Sequence, residues 1–185
     1  MNRVTLAIIA FFGTALLLYW QVQSKKSDEE VAIDVSLRPD YIADNLRSVE
    51  YNKQGLVNSR VTATHMEHFD EANMTYFTQP IYLVYPDGGQ AKWRLQSTMG
   101  TLNKKSGKVV LENNVIIDSI SPEEPIQTMK TSYLELDLHT MIMTSDREVY
   151  ITGDDFLIQG VGLFGDLNAQ KVQLLSKVKG IYEVN

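Results

Sequence analysis

The stretch VVLENNVII, from Val109 to Ile117, indicates the kind of fold that this chain adopts. Four apolar side chains share one parity of the stretch: Val109, Leu111, Val115 and Ile117. The other parity, extended by one residue at each end, is mostly polar: it holds Lys108, Glu112, Asn114 and Asp118, apart from Val110 and Ile116. Side chains of a β-strand point alternately to its two faces, so the pattern predicts a strand with one apolar face. The polar segment at residues 103–107, NKKSG, comes directly before it and predicts a turn.

The same pattern recurs at a shift of about 34 residues in both directions. The aligned apolar pairs are Ile81 and Leu83, Val115 and Ile117, and Val149 and Ile151. Leu111 likewise aligns with Phe77. A meander with regular turns would show this spacing without a true repeat, but both interpretations predict stacked antiparallel strands instead of a catalytic α/β sheet.

Composition limits the classes of protein to which the chain can belong. Its 185 residues, 44% apolar and 22% charged, suffice for one globular domain with a short appendage. A net charge of −6 argues against binding to nucleic acid or to anionic lipid through a basic patch. The absence of cysteine excludes disulfides, thiol catalysis and thiolate metal sites.

An uncharged stretch, Val4 to Trp20, predicts a membrane anchor near the N-terminus. Its 17 residues would rise about 26 Å as a helix, close to the thickness of a hydrocarbon core. A cleaved signal peptide is the alternative, but bulky Tyr19 and Trp20 stand where small residues should precede cleavage. Basic residues flank both sides of the stretch, so charge alone leaves its orientation open.

Three segments follow from these patterns. Residues 1–23 are predicted as an N-terminal stub and transmembrane anchor, and residues 24–43 as a polar tether. Residues 44–185 are predicted as one all-β domain, a curved sandwich or jelly roll whose first and last strands are open edges. Residues 169–178 fit a short helix or a strand, and strand is preferred because of the parity of the apolar residues. Gly153 is predicted to adopt a positive φ in a turn.

The sequence shows no constellation that would support catalysis. It lacks the HExxH, GxSxG and P-loop motifs, and no pattern predicts a cofactor or a metal. His65 and His68 lie three residues apart on a predicted strand, so they should point to opposite faces, and we interpret both and His139 as surface residues. An exported hydrolase on a jelly roll is therefore disfavoured. Six methionines of the predicted β domain, together with Phe77 and Trp93, predict either a filled core or an adaptable cavity for acyl chains.

Several segments together resemble the LptC family, the single-pass inner-membrane component of lipopolysaccharide export in Gram-negative bacteria. The most distinctive segment is YFTQP at residues 76–80. The others are Asn114-Val115 after the Lys104–Leu111 hairpin, Thr131-Ser132, Val149 to Gly153, Gly162 to Leu167, and Tyr182-Glu183. The N-terminal anchor and the length also match. Glu112 departs from an aromatic preference in the family.

The resemblance implies a fold, a location and a set of partners. It implies a cytoplasmic N-terminus and a periplasmic, twisted antiparallel β-jelly roll of the OstA-like type shared by LptA and LptC, without enzymatic activity. The implied partners are lipopolysaccharide, an inner-membrane ABC transporter of the LptB2FG type and a periplasmic bridge protein of the LptA type. A tethered domain that only bridges proteins, with no lipid path, is the alternative.

Two sets of residues follow as candidate sites under this resemblance. The predicted lipid groove consists of Met66, Phe77, Ile81, Leu83, Trp93, Leu95, Leu111, Val115, Ile117, Leu136, Val149 and Ile151. The predicted partner interfaces consist of Leu46, Val49, Tyr51, Gly153, Val172, Leu174 and Tyr182. Within the second set, the strand from Leu46 to Tyr51 would face the transporter and the last strand would pair with the bridge protein.

Overall fold

The computed structural model describes residues 38–86 and 91–182, which form an all-β unit from Pro39 onward. Its 11 strands are β1 (Tyr41–Tyr51), β2 (Val57–Phe69), β3 (Met74–Thr78), β4 (Ile81–Val84), β5 (Trp93–Gln96), β6 (Met99–Asn103), β7 (Lys108–Ser119), β8 (Thr128–Asp137), β9 (Ile142–Thr152), β10 (Phe156–Asp166) and β11 (Lys171–Tyr182). The predicted all-β class is therefore confirmed. Residues 171–178 belong to β11 and residues 169–170 to the turn before it, so the alternative of a helix there is wrong.

All the strands belong to one antiparallel sheet. β3 and β4 pair with β2 in a single continuous register, so together they act as one long strand with an interruption. β5 and β6 form a second interrupted strand, in which β6 pairs with β3 and β5 pairs with β4, again in one register. Counted like this, the sheet is a meander in chain order from β1 to β11. Among the described strands, β1 pairs only with β2 and β11 only with β10, which confirms the prediction that the first and last strands are the open edges.

A line of backbone irregularities, here called the crease, crosses the middle of the sheet. Residues with positive φ on this line are Asn45, Gln79, Asn113, Asn114, Gly162 and Lys177. Left-handed backbone is costly for most L-residues and bends the strand that contains it. Hydrogen bonds nevertheless continue through the line, since Gln79 N donates to Thr98 O (2.9 Å) and Thr98 N to Asn113 O (2.9 Å).

The crease divides the sheet into two halves whose inner faces share one core. One half contains β3 and β6, and the other contains β4 and β5. Core residues from both halves form a single cluster, and Phe77 of β3 packs edge-on against Tyr82 of β4 with ring centroids 6.1 Å apart. Asn58 Nδ2 donates to Leu138 O at 3.1 Å, which joins the start of β2 to the end of β8.

The left-handed residue Gln79 reverses the alternation of faces between β3 and β4. Phe77 is buried on the inner face, and beyond the break Tyr82 is buried with it. Ile81 and Leu83 are only half-buried and lie on the opposite, outer face. The expectation that these two residues share a face with Phe77 is therefore wrong, because one residue at positive φ shifts the parity by one.

Three smaller expectations are also corrected. β1 begins at Tyr41, so residues 41–43 lie in a strand and not in the predicted tether. The backbone of Gly153 does not have a positive φ; an added Cβ there would overlap the carbonyl oxygen of Pro125 and the ring of Phe156. His68 is buried at 3% exposure, whereas it was predicted at the surface. His65 does lie on the opposite face, as predicted, with Nδ1 2.7 Å from Asp44 Oδ1.

The predicted anchor, residues 1–23, lies outside the described residues, as does most of the predicted tether. Within the part of the chain that the structure describes, no helix is long and apolar enough to cross a membrane.

Asn113 provides a test of the crease because its side chain is exposed and its φ is 61°. Replacing it by glycine should change the free energy of unfolding by less than about 0.5 kcal/mol, since glycine adopts this conformation freely. Replacing it by valine should lower that free energy by about 1–2 kcal/mol, since a β-branched residue resists positive φ. Thermal unfolding of both variants would measure the difference, and equal stabilities would contradict a left-handed Asn113.

Candidate functional site

A cavity of about 450 Å³ lies against the inner faces of the N-terminal strands. Its apolar wall consists of Leu46, Val49, Val61, Met66, Phe77, Tyr82 and Leu102. Polar residues lie along the rest of its lining: Tyr41, Ser48, Glu50, Ser59, His68, Thr75 and Lys104. Because Tyr41, Glu50 and Lys104 are exposed to solvent, the cavity reaches the surface along β1.

The predicted groove residues divide into three groups in the structure. Met66 and Phe77 line the cavity. Ile81 and Leu83 lie on the outer face, as described above. The remaining eight are buried in the packed core beyond the cavity: Trp93, Leu95, Leu111, Val115, Ile117, Leu136, Val149 and Ile151. Lipid contact at any of these positions stays a prediction.

A polar cluster around His68 forms one end of the cavity, where β1 begins. His68 Nδ1 lies 2.7 Å from Thr75 Oγ1, and Nε2 lies 2.9 Å from Asp70 Oδ1. The ring of Tyr41 stacks on the imidazole at 5.7 Å, and the nearby Asp70 carboxylate raises the pKa of the Tyr41 phenol. Backbone bonds complete the cluster, since Asp40 N donates to His68 O at 2.8 Å. The cluster therefore fixes the point at which the chain enters the sheet.

The other end of the cavity carries a carboxylate and three hydroxyls. Ser59 Oγ donates to Glu50 Oε2 at 3.1 Å, and Ser48 lies on the same side of β1 as Glu50. Tyr82 reaches into this region from β4 with its side chain almost fully buried. Burial, with a smaller contribution from the Glu50 carboxylate, raises the pKa of the Tyr82 phenol. The Tyr82 hydroxyl is therefore neutral at physiological pH and able to donate a hydrogen bond.

The predicted interface residues are not equally available on the two edges. On β1, Val49 and Tyr51 are exposed, whereas Leu46 is half-buried and lines the cavity. On β11, Val172 and Leu174 pack against the core. The apolar residues that β11 presents to solvent are Leu175, Val178 and Ile181, which the sequence analysis missed. β11 extends to Tyr182, opposite Phe156, and Gly153 lies in the turn before β10.

The cavity residues that were missed include Val61, Tyr82 and Leu102. Val61 and Leu102 stand in segments already predicted as strands, and each sits on the inner face by its pairing. Recognising the break at Gln79-Pro80 would have moved the inner face of β4 to Tyr82, because proline removes a ladder donor and marks a bulge or an edge. Among the residues of known placement, no three His, Asp or Glu side chains converge as metal ligands.

Comparison with known proteins agrees with this architecture. A family model described as "Lipopolysaccharide-assembly, LptC-related" matches residues 6–183. The chain is 22% identical over 185 residues to the lipopolysaccharide export system protein LptC of Escherichia coli K12, covering 100% of this chain and 96% of that protein. It is 25% identical over 200 residues to LptC of Haemophilus influenzae Rd, covering 99% and 94%.

A solved structure shares the fold of the β unit. LptH of Pseudomonas aeruginosa, described as the LptA-homologous periplasmic component of a lipopolysaccharide transport device, superposes with a TM-score of 0.52. The match covers 68% of this chain and 95% of LptH, and the sequences are 10% identical. From its sequence match along nearly the whole length, this chain belongs to the LptC-related family of lipopolysaccharide-assembly proteins.

Proposed function

We propose that this chain is a non-enzymatic component of lipopolysaccharide transport that shields acyl chains between two membranes. In this proposal it receives lipopolysaccharide from the inner-membrane ABC transporter and passes it to the periplasmic bridge protein. Residues 1–23 anchor it in the inner membrane with the N-terminus in the cytoplasm, and the β unit lies in the periplasm. Membership of the LptC-related family and the LptH-like fold support this role.

The observation that carries the proposal is the cavity at the inner face of β1, β2, β3 and β6. Exposing an acyl chain to water costs about 0.8 kcal/mol per methylene, so a carrier must cover such chains throughout their passage. The apolar wall formed by Leu46, Met66 and Phe77 supplies that cover, and the opening along β1 leaves a route for a polar headgroup to stay in water.

The two open edges are suited to pairing with other sheets. We propose that β1 faces the transporter, since it also borders the cavity, and that β11 pairs with the bridge protein. Leu175, Val178 and Ile181 would then be covered in the complex. Strand addition at both edges would join the interiors of neighbouring domains into one sheltered path.

The alternative function, protein bridging without a lipid path, is favoured by a different observation. Much of the interior beyond the cavity is fully buried, and residues such as Leu95, Leu111 and Ile117 have no exposure at all. If that packing never opens, the domain could still hold two partners together through its edges. The two proposals differ in whether acyl chains touch the cavity wall.

Photo-crosslinking from the cavity wall separates these proposals. A photoreactive amino acid at Phe77 or Met66 should form adducts with lipopolysaccharide in membranes that contain the transporter, and only when ATP is supplied. Tyr76, the neighbour of Phe77 on the outer face, is the matched control and should give at least tenfold less adduct. Adducts at Leu111 would show that the packed core also opens. Absence of adducts from both cavity positions would support bridging alone.

A further inference from the structure

The hydroxyl of Tyr82 is a buried polar group without a hydrogen-bond partner. The side chain is 1% exposed, and no donor or acceptor among the described residues pairs with its oxygen. Most buried side-chain hydroxyls in proteins are paired, so an unpaired one calls for a physical explanation. Phenylalanine at this position would keep the contact with Phe77 and avoid the unpaired oxygen.

The location of Tyr82 indicates what its hydroxyl could bind. Tyr82 lines the cavity beside the apolar wall, so a molecule bound in the cavity lies against the Tyr82 side chain. The nearest carboxylate, Glu50, already accepts a hydrogen bond from Ser59. Trp93 Nε1 is the other buried unpaired atom in the described ranges, but Trp93 lines a separate cavity of about 430 Å³ near Ile120. Among the described residues, Tyr82 thus carries the buried unpaired donor of the cavity at β1.

We propose that Tyr82 is a specificity residue of this cavity, whose hydroxyl donates a hydrogen bond to an oxygen substituent on the bound acyl chain. A hydroxyl group or an ester carbonyl on the chain would pair with it, whereas a plain alkyl chain would leave it unpaired. The cavity would therefore prefer oxygen-substituted acyl chains. This inference rests on the proposed function, because it takes an acyl chain to be the ligand.

The discrimination expected from one such hydrogen bond is modest and measurable. A hydrogen bond to a neutral group typically changes an equilibrium by about fivefold, which corresponds to roughly 1 kcal/mol. The apolar wall would contribute equally to both kinds of chain. The preference should therefore depend on the Tyr82 oxygen alone and disappear when only that atom is removed.

The test measures competition for the cavity in the full chain, reconstituted in lipid nanodiscs. A diazirine-bearing dodecanoate is cross-linked to the protein, and dodecanoate, β-hydroxydodecanoate and ω-hydroxydodecanoate are the unlabelled competitors. The ratio of half-inhibiting concentrations is compared between the wild-type chain and Tyr82→Phe. Partition of each acid into the bilayer is the same for both proteins, so a change in the ratio reports the hydroxyl.

We expect at least one hydroxylated acid to lose about fivefold in competition relative to dodecanoate in Tyr82→Phe. Tyr76→Phe, an outer-face tyrosine, should leave the ratio unchanged, and Phe77→Leu should weaken all three acids together. Thermal unfolding should show that Tyr82→Phe is no less stable than wild type, since no hydrogen bond is lost. Equal ratios in wild type and Tyr82→Phe would overturn the inference. Failure of every acid to compete would instead count against the lipid path itself.

Discussion

Replacing Leu111 by alanine is expected to lower the free energy of unfolding by about 3–4 kcal/mol. Leu111 has no exposed surface and lies on the inner face of β7, between Gly100 of β6 and Leu134 of β8. An added Cβ at Gly100 would lie 3.2 Å from a Leu111 methyl group, so the neighbouring backbone already sits tightly against this side chain. Neighbours held this closely can collapse only partly into the space left by truncation.

The measurement is chemical or thermal unfolding of the purified protein, followed by near-ultraviolet circular dichroism. The melting temperature should fall by roughly 6–16 °C for a domain of this size. Val110→Ala on the outer face of the same strand is the control, and it should cost less than about 1 kcal/mol. A loss below about 1.5 kcal/mol for Leu111→Ala would mean that this part of the interior is loosely packed, which would favour a longer lipid path.

Replacing Gly153 by alanine is expected to cost about 2–3 kcal/mol of stability. The added Cβ would overlap two groups at once, the Pro125 carbonyl oxygen and the Phe156 ring. The carbonyl belongs to the backbone of the loop between β7 and β8, so it cannot rotate away as a side-chain end could. Gly153 N also donates to Phe156 O at 3.0 Å, and moving the turn would weaken that bond.

Gly55 provides the matched control for this substitution. Its φ is 78° and no atom lies within 4 Å of a built Cβ, so Gly55→Ala meets backbone strain without overlap and should cost about 1 kcal/mol. Thermal unfolding compares the two variants directly. Gly153→Ala with wild-type stability would contradict the close approach of Gly153 to the Pro125 carbonyl and the Phe156 ring. Gly153 would then remain a candidate partner contact, which a pull-down of the bridge protein would test.

The fold was predictable because one apolar parity identifies the buried face of a regular strand. In β7 the two left-handed residues Asn113 and Asn114 occur together, so the parity of Leu111 and Val115 is preserved across the crease and the prediction was correct. In β3 and β4 a single left-handed residue reverses it. Ile117 pairs with Leu95, and Leu95 pairs with Tyr82 and not with Leu83, so the 34-residue shift fails here. Leu111 pairs with Gly100, and Gly100 pairs with Phe77, as the shift predicts.

The candidate site was less predictable, for two physical reasons. A cavity and a packed core have equally apolar linings, so the pattern that identified Leu95 and Phe77 could not show that only Phe77 borders open space. Buried polar groups also carry no periodic signature. His68 was assigned to the surface because histidine is often exposed, but Thr75 and Asp70 satisfy both of its ring nitrogens.

The crease also determines which strands can join this sheet from outside. In β11 the register with β10 shifts next to Lys177, whose φ is positive, so the edge strand is divided into Lys171–Ser176 and a segment after the irregularity. A straight strand from another molecule can form backbone hydrogen bonds with one of these segments but not with both. This disfavours the flat, uniform stacking of amyloid. Only a guest strand that bends at the same level could pair with both segments, so we expect this edge to favour strands with a matching bend.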